Sequence, residues 1–231
     1  MKTTPAIENL NLLVLEASKV RPPDETRRFL RQHIEAICNG LEDACRLGVS
    51  ELGPSRMVYL LDSIKGICHR SLLVNRQLTN PISLTGDDVI IAFSDPSIID
   101  SYFSSSDNAT ICFLYTARDG QTWALAVAKT PGEKSIRAGQ HELVSKLEGP
   151  RFLELLRSYW RSVYLSQPDF DLQSNLLGII GDKLIPFLAS TRVSGNLHLI
   201  LHSVLNILPI HATAGSLNGQ VWYLDELFRS I

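Results

Sequence analysis

The chain has 231 residues, of which 45% are hydrophobic and 20% are charged, and these proportions are typical of a globular protein. Lysine and arginine (22) nearly balance aspartate and glutamate (24), so the net charge of −2 gives no reason to expect nucleic-acid binding. No segment approaches about 18 consecutive apolar residues, and the N-terminus lacks the pattern of a signal peptide. We therefore expect a cytoplasmic protein that is not bound to a membrane.

The N-terminal third of the sequence predicts a layer of helices. Thr4 and Pro5 are typical of an N-cap and of a first helical position. Pro22-Pro23 begins a second helix, in which apolar residues recur at every third or fourth position and which ends at Gly48. A third helix begins at 53–55. The apolar stripes of the second and third helices are Leu30, Ile34, Ile37, Leu41 and Cys45, and Met57, Leu60, Leu61, Ile64, Cys68 and Leu72.

The segment that follows contains the clearest hairpin signal of the chain. A breaker cluster at Thr79–Pro81 separates it from the helices, and the apolar run Val89–Phe93 fits either a buried strand or a short helix. Residues 110–116 and 122–129 are rich in β-branched and aromatic side chains, and Arg118-Asp119-Gly120 supplies the turn between them. We expect an antiparallel pair of strands here.

The remainder of the sequence alternates helical and extended patterns. Residues 134–147, 150–165 and about 170–190 predict three helices. An apolar strand at Leu197–Leu201 and a short strand around Trp222–Leu224 follow them. The chain as a whole therefore predicts a mixed α/β fold that begins with helices.

Residues that could carry chemistry do not form a convincing site. His198, His202 and His211 crowd the C-terminal region, but no metalloprotease spacing accompanies them, so we predict no metal and no cofactor. A hydrolytic triad of His202, Ser203 and Asp182 is disfavoured, because adjacent residues of a strand point to opposite faces and the sequence contains no Gly-x-Ser-x-Gly. Packing in the core is the preferred interpretation for the cysteines, which are Cys38, Cys45, Cys68 and Cys112.

Two polar residues follow the terminal apolar strand. After them come a leucine, a Leu-Pro pair that begins three residues later, an apolar residue, and an alanine two residues after that. This order resembles the CHAT family of caspase-like, separase-related peptidase domains, where a strand leads into Pro-[Asp/His]-Gly-x-Leu-x-x-Leu-Pro-[Phe/Trp]-x-Ala-Leu. Ile210 replaces the aromatic residue of that motif. The hairpin and the helix around Pro186 are also similar to family segments, so the resemblance covers roughly residues 85–231. The motif residues are His202, Leu205, Leu208, Pro209 and Ala212.

The resemblance implies the first part of a caspase-like α/β domain, preceded by a helical region over residues 1–78. The peptidases of this family use a His–Cys dyad, in which the His belongs to a His-Gly motif and the Cys to a Cys-x-Thr-Gly-like motif. This chain contains no His-Gly, and no cysteine follows Cys112. We therefore assign no catalytic residue and no cofactor-binding residue, and we expect the chain alone to have no peptidase activity.

Two functions are compatible with these observations. The first is a truncated CHAT-type protein with a regulatory or scaffolding role. The second is a non-enzymatic interaction module that uses helical faces and an exposed sheet edge. Both predict a protein partner, or the missing half of the same domain, because a sheet that stops at an apolar strand leaves an edge that tends to pair.

Overall fold

The structure is a computed structural model of the chain, and it describes residues 3–17, 23–54, 56–61, 109–129, 137–191 and 196–229. The chain divides into two compact units, Met1–Ser105 and Ser106–Ile231. The breaker at Thr79–Pro81 and the ambiguous run Val89–Phe93 lie outside the described residues. Those residues contain both helices and a mixed sheet, so the prediction of a mixed α/β fold is confirmed.

Helices form the described part of the N-terminal unit. They are α1 (Pro5–Ala17), α2 (Pro23–Gln32) and α3 (Ile34–Leu52), and residues 56–61 are also helical. The hydroxyl of Thr4 caps α1 as predicted, because it accepts a hydrogen bond from a backbone N–H in the first turn at 3.3 Å. The same hydroxyl donates to Asp43 of α3 at 2.9 Å, which ties the two helices together. The buried side chains of α1 and α3 include Ile7, Leu10, Val14, Ala17, Ile37, Leu41, Ala44 and Cys45.

The second predicted helix is two helices in the structure. A turn at His33 separates α2 from α3, and α3 continues past a kink at Gly48 to Leu52. The expectation of one continuous helix over this segment is therefore wrong, whereas the predicted stop at Gly48 agrees with the interruption of the helix there, where Gly48 has non-helical dihedral angles (φ 72°, ψ −179°). Apolar periodicity reports which side chains face the core, but it does not report whether the backbone between them is continuous. Because of the break, Ile34 is 57% exposed although it fits the predicted stripe.

The third predicted helix is confirmed only at its beginning. Met57, Leu60 and Leu61 are buried, as their spacing predicts. The other residues of that stripe, Ile64, Cys68 and Leu72, lie outside the described residues.

A four-stranded sheet organises the described part of the C-terminal unit. Its strands are β1 (Ala109–Thr116), β2 (Thr122–Lys129), β3 (Arg137–Val144) and β4 (Asn196–Leu201), and their order is β3-β2-β1-β4. The predicted hairpin is confirmed, since β1 and β2 pair antiparallel along their whole length. β1 and β4 run parallel. The carboxyl ends of β1 and β4 therefore lie at the same edge of the sheet.

The strand β3 replaces a predicted helix. Residues 134–147 include several good helix formers, yet Arg137–Val144 pairs antiparallel with β2. The helix prediction is wrong here, because pairing with β2 and the complete burial of Leu143 and Val144 outweigh local propensity. Tertiary contacts of this kind cannot be predicted from the periodicity of the segment itself.

Two helices, α4 (Gly149–Tyr164) and α5 (Phe170–Ser190), pack against one face of this sheet, and both agree with the predicted positions. The carboxylate of Asp169 caps α5 by accepting a hydrogen bond from a backbone N–H at 2.9 Å. Before α4, Ser145 and Glu148 form a capping box. The Ser145 backbone N–H and hydroxyl donate to the Glu148 carboxylate at 3.0 and 2.8 Å, and the Glu148 N–H donates back at 3.4 Å.

The two faces of the β1–β2 hairpin carry side chains of different size. Toward α4 and α5 the hairpin presents Cys112, Leu114, Ala124 and Ala126, and the small alanines allow the helices to lie close to the sheet. The opposite face is also buried, and it is built from large side chains. They are Ile111, Phe113, Tyr115, Trp123, Leu125 and Val127.

After β4 the chain forms two short 3-10 helices, Ser203–Ile207 and Ile210–Ala212. A second hairpin follows, made of β5 (Ala214–Leu217) and β6 (Gln220–Tyr223), and α6 (Leu224–Arg229) comes next. The short strand predicted around Trp222 is β6, whereas its partner β5 was not predicted. β5 crosses α5 where Gly181 meets Gly215. A Cβ atom on either glycine would overlap the backbone of the other segment, so this crossing requires both glycines.

Candidate functional site

The carboxyl ends of β1 and β4 form the sheet edge where an α/β protein most often places functional groups. His202 is the first residue after β4, and its backbone N–H donates to the Leu114 carbonyl of β1 at 2.9 Å. The imidazole is only 7% exposed. The parallel ladder therefore extends to His202 and holds its side chain inside the protein.

The ring of His202 belongs to an aromatic cluster with Phe113, Tyr115 and Trp123. Its centroid lies 5.9 Å from Tyr115 in an edge-to-face arrangement and 6.4 Å from Phe113. Tyr115 in turn stacks on Trp123 at 6.2 Å. These distances are typical of favourable aromatic packing. His202 therefore lies on the face of the sheet opposite to α4 and α5.

The other residues that match the CHAT motif fix the path of the chain after β4. Leu205 and Leu208 are 0% and 3% exposed and join the core beneath the helices. The Leu205 N–H donates to the His202 carbonyl at 3.3 Å, and the Leu208 N–H donates to the Leu205 carbonyl at 3.0 Å. Pro209 is half-buried and Ala212 is exposed. Leu205 and Leu208 therefore anchor this turn by packing.

The hydrolytic triad considered from the sequence does not assemble. Asp182 is exposed on α5, which packs on one face of the sheet, whereas the ring of His202 lies on the opposite face. The sheet thus separates this carboxylate from the imidazole. The side chain of Ser203 lies outside the described residues.

The three C-terminal histidines have different surroundings. His198 is exposed on β4, His202 is buried, and His211 is exposed in the second 3-10 helix. Within the part of the chain that the structure describes, no three His, Cys, Asp or Glu residues come together in a way that could hold a metal ion.

Burial makes the described core cysteines poor nucleophiles. Cys112 is 0% exposed in β1, and burial raises the pKa of its thiol to about 12. Burial also raises the pKa of Cys45 in α3, and the neighbouring Glu42 adds to the effect. Both side chains are therefore protonated thiols at neutral pH, and the packing interpretation fits them. Cys68 lies outside the described residues.

A cavity of about 290 Å³ opens between α4 and α5, and its size is near the lower limit of ligand sites. Glu148 lines it and forms an ion pair with Lys183 at 3.3 Å. Hydrogen bonds from the backbone and the hydroxyl of Ser145, together with Lys183, lower the Glu148 pKa to about 2. This carboxylate is therefore ionised at neutral pH and serves as a helix cap rather than as a proton donor. The cavity is lined by Val144, Glu148, Arg151, Phe152, Leu155, Asn175 and Ile179.

Sequence reasoning missed this cavity and the capping box beside it. The Ser145-x-x-Glu148 spacing in front of an apolar helix is the sequence signal that identifies such a cap. The signal was hidden because the same residues continued a helix-like pattern.

Among the helices that the structure describes, none has both the length and the apolar character needed to cross a bilayer. No protein-family model matches the chain, and searches of curated proteins and of solved structures found no match either.

Proposed function

We propose that the chain is the front portion of a CHAT-type, caspase-like domain that receives a partner strand at its β4 edge. In this proposal the chain has no peptidase activity alone and acts as a regulatory or scaffolding element. The observation that carries it is the position of β4, which is the terminal strand in the order β3-β2-β1-β4 of the described sheet.

The side chains of β4 support the binding of a further strand. Leu197, Leu199 and Leu201 share the face that packs against the core beneath α4 and α5, yet each remains partly exposed. Strands at the end of a sheet are usually protected by charges or by bulges. β4 contains no Asp, Glu, Lys, Arg or Pro, and its register with β1 is unbroken, so it lacks these forms of protection.

The backbone of β4 indicates which N–H and C=O groups an added strand would contact. The His202 N–H points toward β1, because it donates to Leu114. Along a strand the N–H and C=O groups alternate between the two sides, so those of His198 and Ile200 also point toward β1. The N–H and C=O groups of Leu197 and Leu199 then point away from β1, in the direction of an added strand.

The surroundings of His202 support the non-catalytic half of the proposal. Its ring packs among aromatic side chains, and the described cysteine of the same sheet, Cys112, lies in β1 with its side chain toward the helices. No described residue therefore supplies the nucleophile of a His–Cys dyad beside this histidine.

Amide hydrogen exchange on the purified chain tests the proposed edge. The Leu199 amide is expected to exchange at least tenfold faster than the Ile200 amide, because the latter donates into the β1 ladder. If Leu199 is protected as strongly as Ile200 in the chain alone, the edge is already covered and the proposal fails. A partner strand, once added, is expected to slow Leu199 without changing Ile200.

Sequencing the transcript through this open reading frame tests the family assignment separately. Continuation into a segment with a His-Gly motif and a Cys-x-Thr-Gly-like motif would identify the partner strand as part of the same polypeptide. A stop codon directly after the last residue would leave the alternative, in which β4 serves an interaction module that pairs with another protein.

A further inference from the structure

The exposed side of α4 carries a regular pattern of cationic and aromatic side chains. Arg157, Trp160, Arg161 and Tyr164 occupy positions i, i+3, i+4 and i+7, so they share one face of the helix. We call these four residues the arginine–aromatic face. Trp160 is 51% exposed and Tyr164 is 74% exposed, and their rings stack at 5.3 Å with an interplanar angle of 15°. A stacked aromatic pair on an outer helix face is unusual for a surface that only meets water.

The two arginines of this face lack an ion-pair partner among the residues that the structure describes. Arg157 and Arg161 are separated by one helical turn, so two carboxylates about 6 Å apart would match them. Tryptophan, tyrosine and arginine are also the residues most enriched in the energetically important centres of protein interfaces.

A complementary segment lies a few residues further along the same chain. Asp169, Phe170 and Asp171 lead into α5, and Phe170 is 68% exposed between the two carboxylates. Asp169 uses one oxygen for the helix cap, and neither aspartate forms an ion pair in the described structure. The segment thus presents an apolar ring with negative charges on both sides, which is the counterpart of the arginine–aromatic face.

We propose that two copies of the chain associate through this corner of the α4–α5 pair. The arginine–aromatic face of each copy receives the Asp169–Asp171 segment of the other. Phe170 of one copy then lies on the Trp160–Tyr164 stack of its partner, while Asp171 faces Arg161. Because both elements occur on every copy, a two-fold axis forms each contact twice, which is the usual geometry of a homodimer.

The distribution of charge favours a second copy over a lipid surface. A helix that lies on an anionic membrane combines its aromatic residues with cationic neighbours. Here the exposed Phe170 is flanked by two aspartates, which anionic headgroups would repel. The same mixture of signs disfavours nucleic acid, because the phosphate backbone would meet Asp169 and Asp171.

Complementary charge reversal tests this proposal on the full chain, with sedimentation velocity as the readout. The wild type is expected to form a dimer at about 100 μM, and raising the salt to about 0.5 M is expected to weaken it, because exposed ion pairs are screened. Arg161→Glu alone and Asp171→Arg alone are each expected to raise the dissociation constant at least tenfold, because each places like charges opposite one another.

Mixing the two variants provides the decisive arm of the experiment. In a heterodimer of Arg161→Glu with Asp171→Arg, both contacts again pair opposite charges, so association is expected to return to the wild-type level. Because the mixture contains only the two weakened chains, its recovery also shows that neither variant is misfolded. Arg151→Glu, an exposed position in the first turn of α4, is the matched control and is expected to leave the dimer unchanged.

Three results would overturn the proposal. They are a monomeric wild type at this concentration, single variants that dimerise as tightly as the wild type, and a mixture that fails to recover. Binding to phosphatidylserine vesicles by a monomeric wild type would assign the face to a membrane instead. Trp160→Ala is expected to weaken the dimer at least tenfold, since the proposed contact places Phe170 on that ring.

Discussion

The two hairpins of the C-terminal unit are both closed by turns that contain a glycine at positive φ, but they have different surroundings. Gly120 in the β1–β2 turn has φ 87°, and Asn218 and Gly219 in the β5–β6 turn have φ 53° and 78°. The first hairpin is buried on both faces. The second exposes Val221 by 70% and Tyr223 by 49%. Turn chemistry therefore produces a hairpin in both places, but the tertiary environment decides how much each strand contributes to stability.

The difference also concerns function. The aromatic cluster and His202 lie on the face of the first hairpin opposite to α4 and α5, beside β4. A residue that could take part in catalysis is thus buried inside the unit. The surfaces that we propose for binding, the β4 edge and the arginine–aromatic face, lie at its periphery.

The largest loss of stability is expected from removing a large buried side chain from the first hairpin. Phe113→Ala is expected to lower the free energy of unfolding by about 3–5 kcal/mol, because a fully buried ring leaves a cavity. Val221→Ala in β6 is the matched change, and we expect about 0.5 kcal/mol or less because the side chain is exposed. Urea unfolding of both variants measures these values. Similar losses for the two would mean that the hairpins do not differ in burial as described.

An intermediate effect is expected at the turns. Gly120→Ala is expected to cost about 2–4 kcal/mol, since a Cβ there combines a positive φ with overlap on the Gly149 backbone. At Gly219 no atom lies within 4 Å of such a Cβ, so Gly219→Ala should cost only the conformational strain of about 1 kcal/mol. Thermal and urea unfolding of the pair separate packing from strain. Equal losses would show that the first turn does not dock on the start of α4.

The smallest effect is a pH dependence at the cap where the first turn meets α4. The Glu148 pKa is lowered from 4.5 to about 2, so its contribution to stability is complete above pH 4.5 and is lost as the pH falls toward 2. We expect the stability difference between wild type and Glu148→Gln to be largest above pH 4.5 and to shrink toward pH 2. Acid titration of the unfolding midpoint measures it. Glu154→Gln, an exposed change on the same helix, controls for the loss of one negative charge, and a difference that stays constant with pH would contradict the cap.

Local signals predicted the elements that depend on a few neighbouring residues. The Asp-Gly turn placed the β1–β2 hairpin, Thr4 placed the start of α1, and the apolar periodicity placed α4 and α5. The same signals were available for the β5–β6 turn, where Asn218-Gly219 is a typical hairpin sequence. That hairpin was predicted only in its second strand, because small residues obscured β5.

The candidate sites could not be predicted to the same extent. The position of β4 at the end of the sheet and the separation of Asp182 from His202 depend on which strands pair and which face the helices cover. The face formed by Arg157 and Trp160 is visible in the helical spacing. Its exposure, however, depends on which side of α4 packs against the core.

Sequence patterns alone predicted the fold class, the first hairpin and the positions of α4 and α5, because these follow from short-range backbone preferences and side-chain spacing. That Arg137–Val144 is a strand depends on tertiary contacts, since pairing with β2 and burial outweigh its helical propensity. The burial of His202 among aromatic side chains likewise depends on tertiary contacts. An imidazole can catalyse, bind a metal or fill a core, and only its position among Phe113 and Tyr115 distinguishes these roles here.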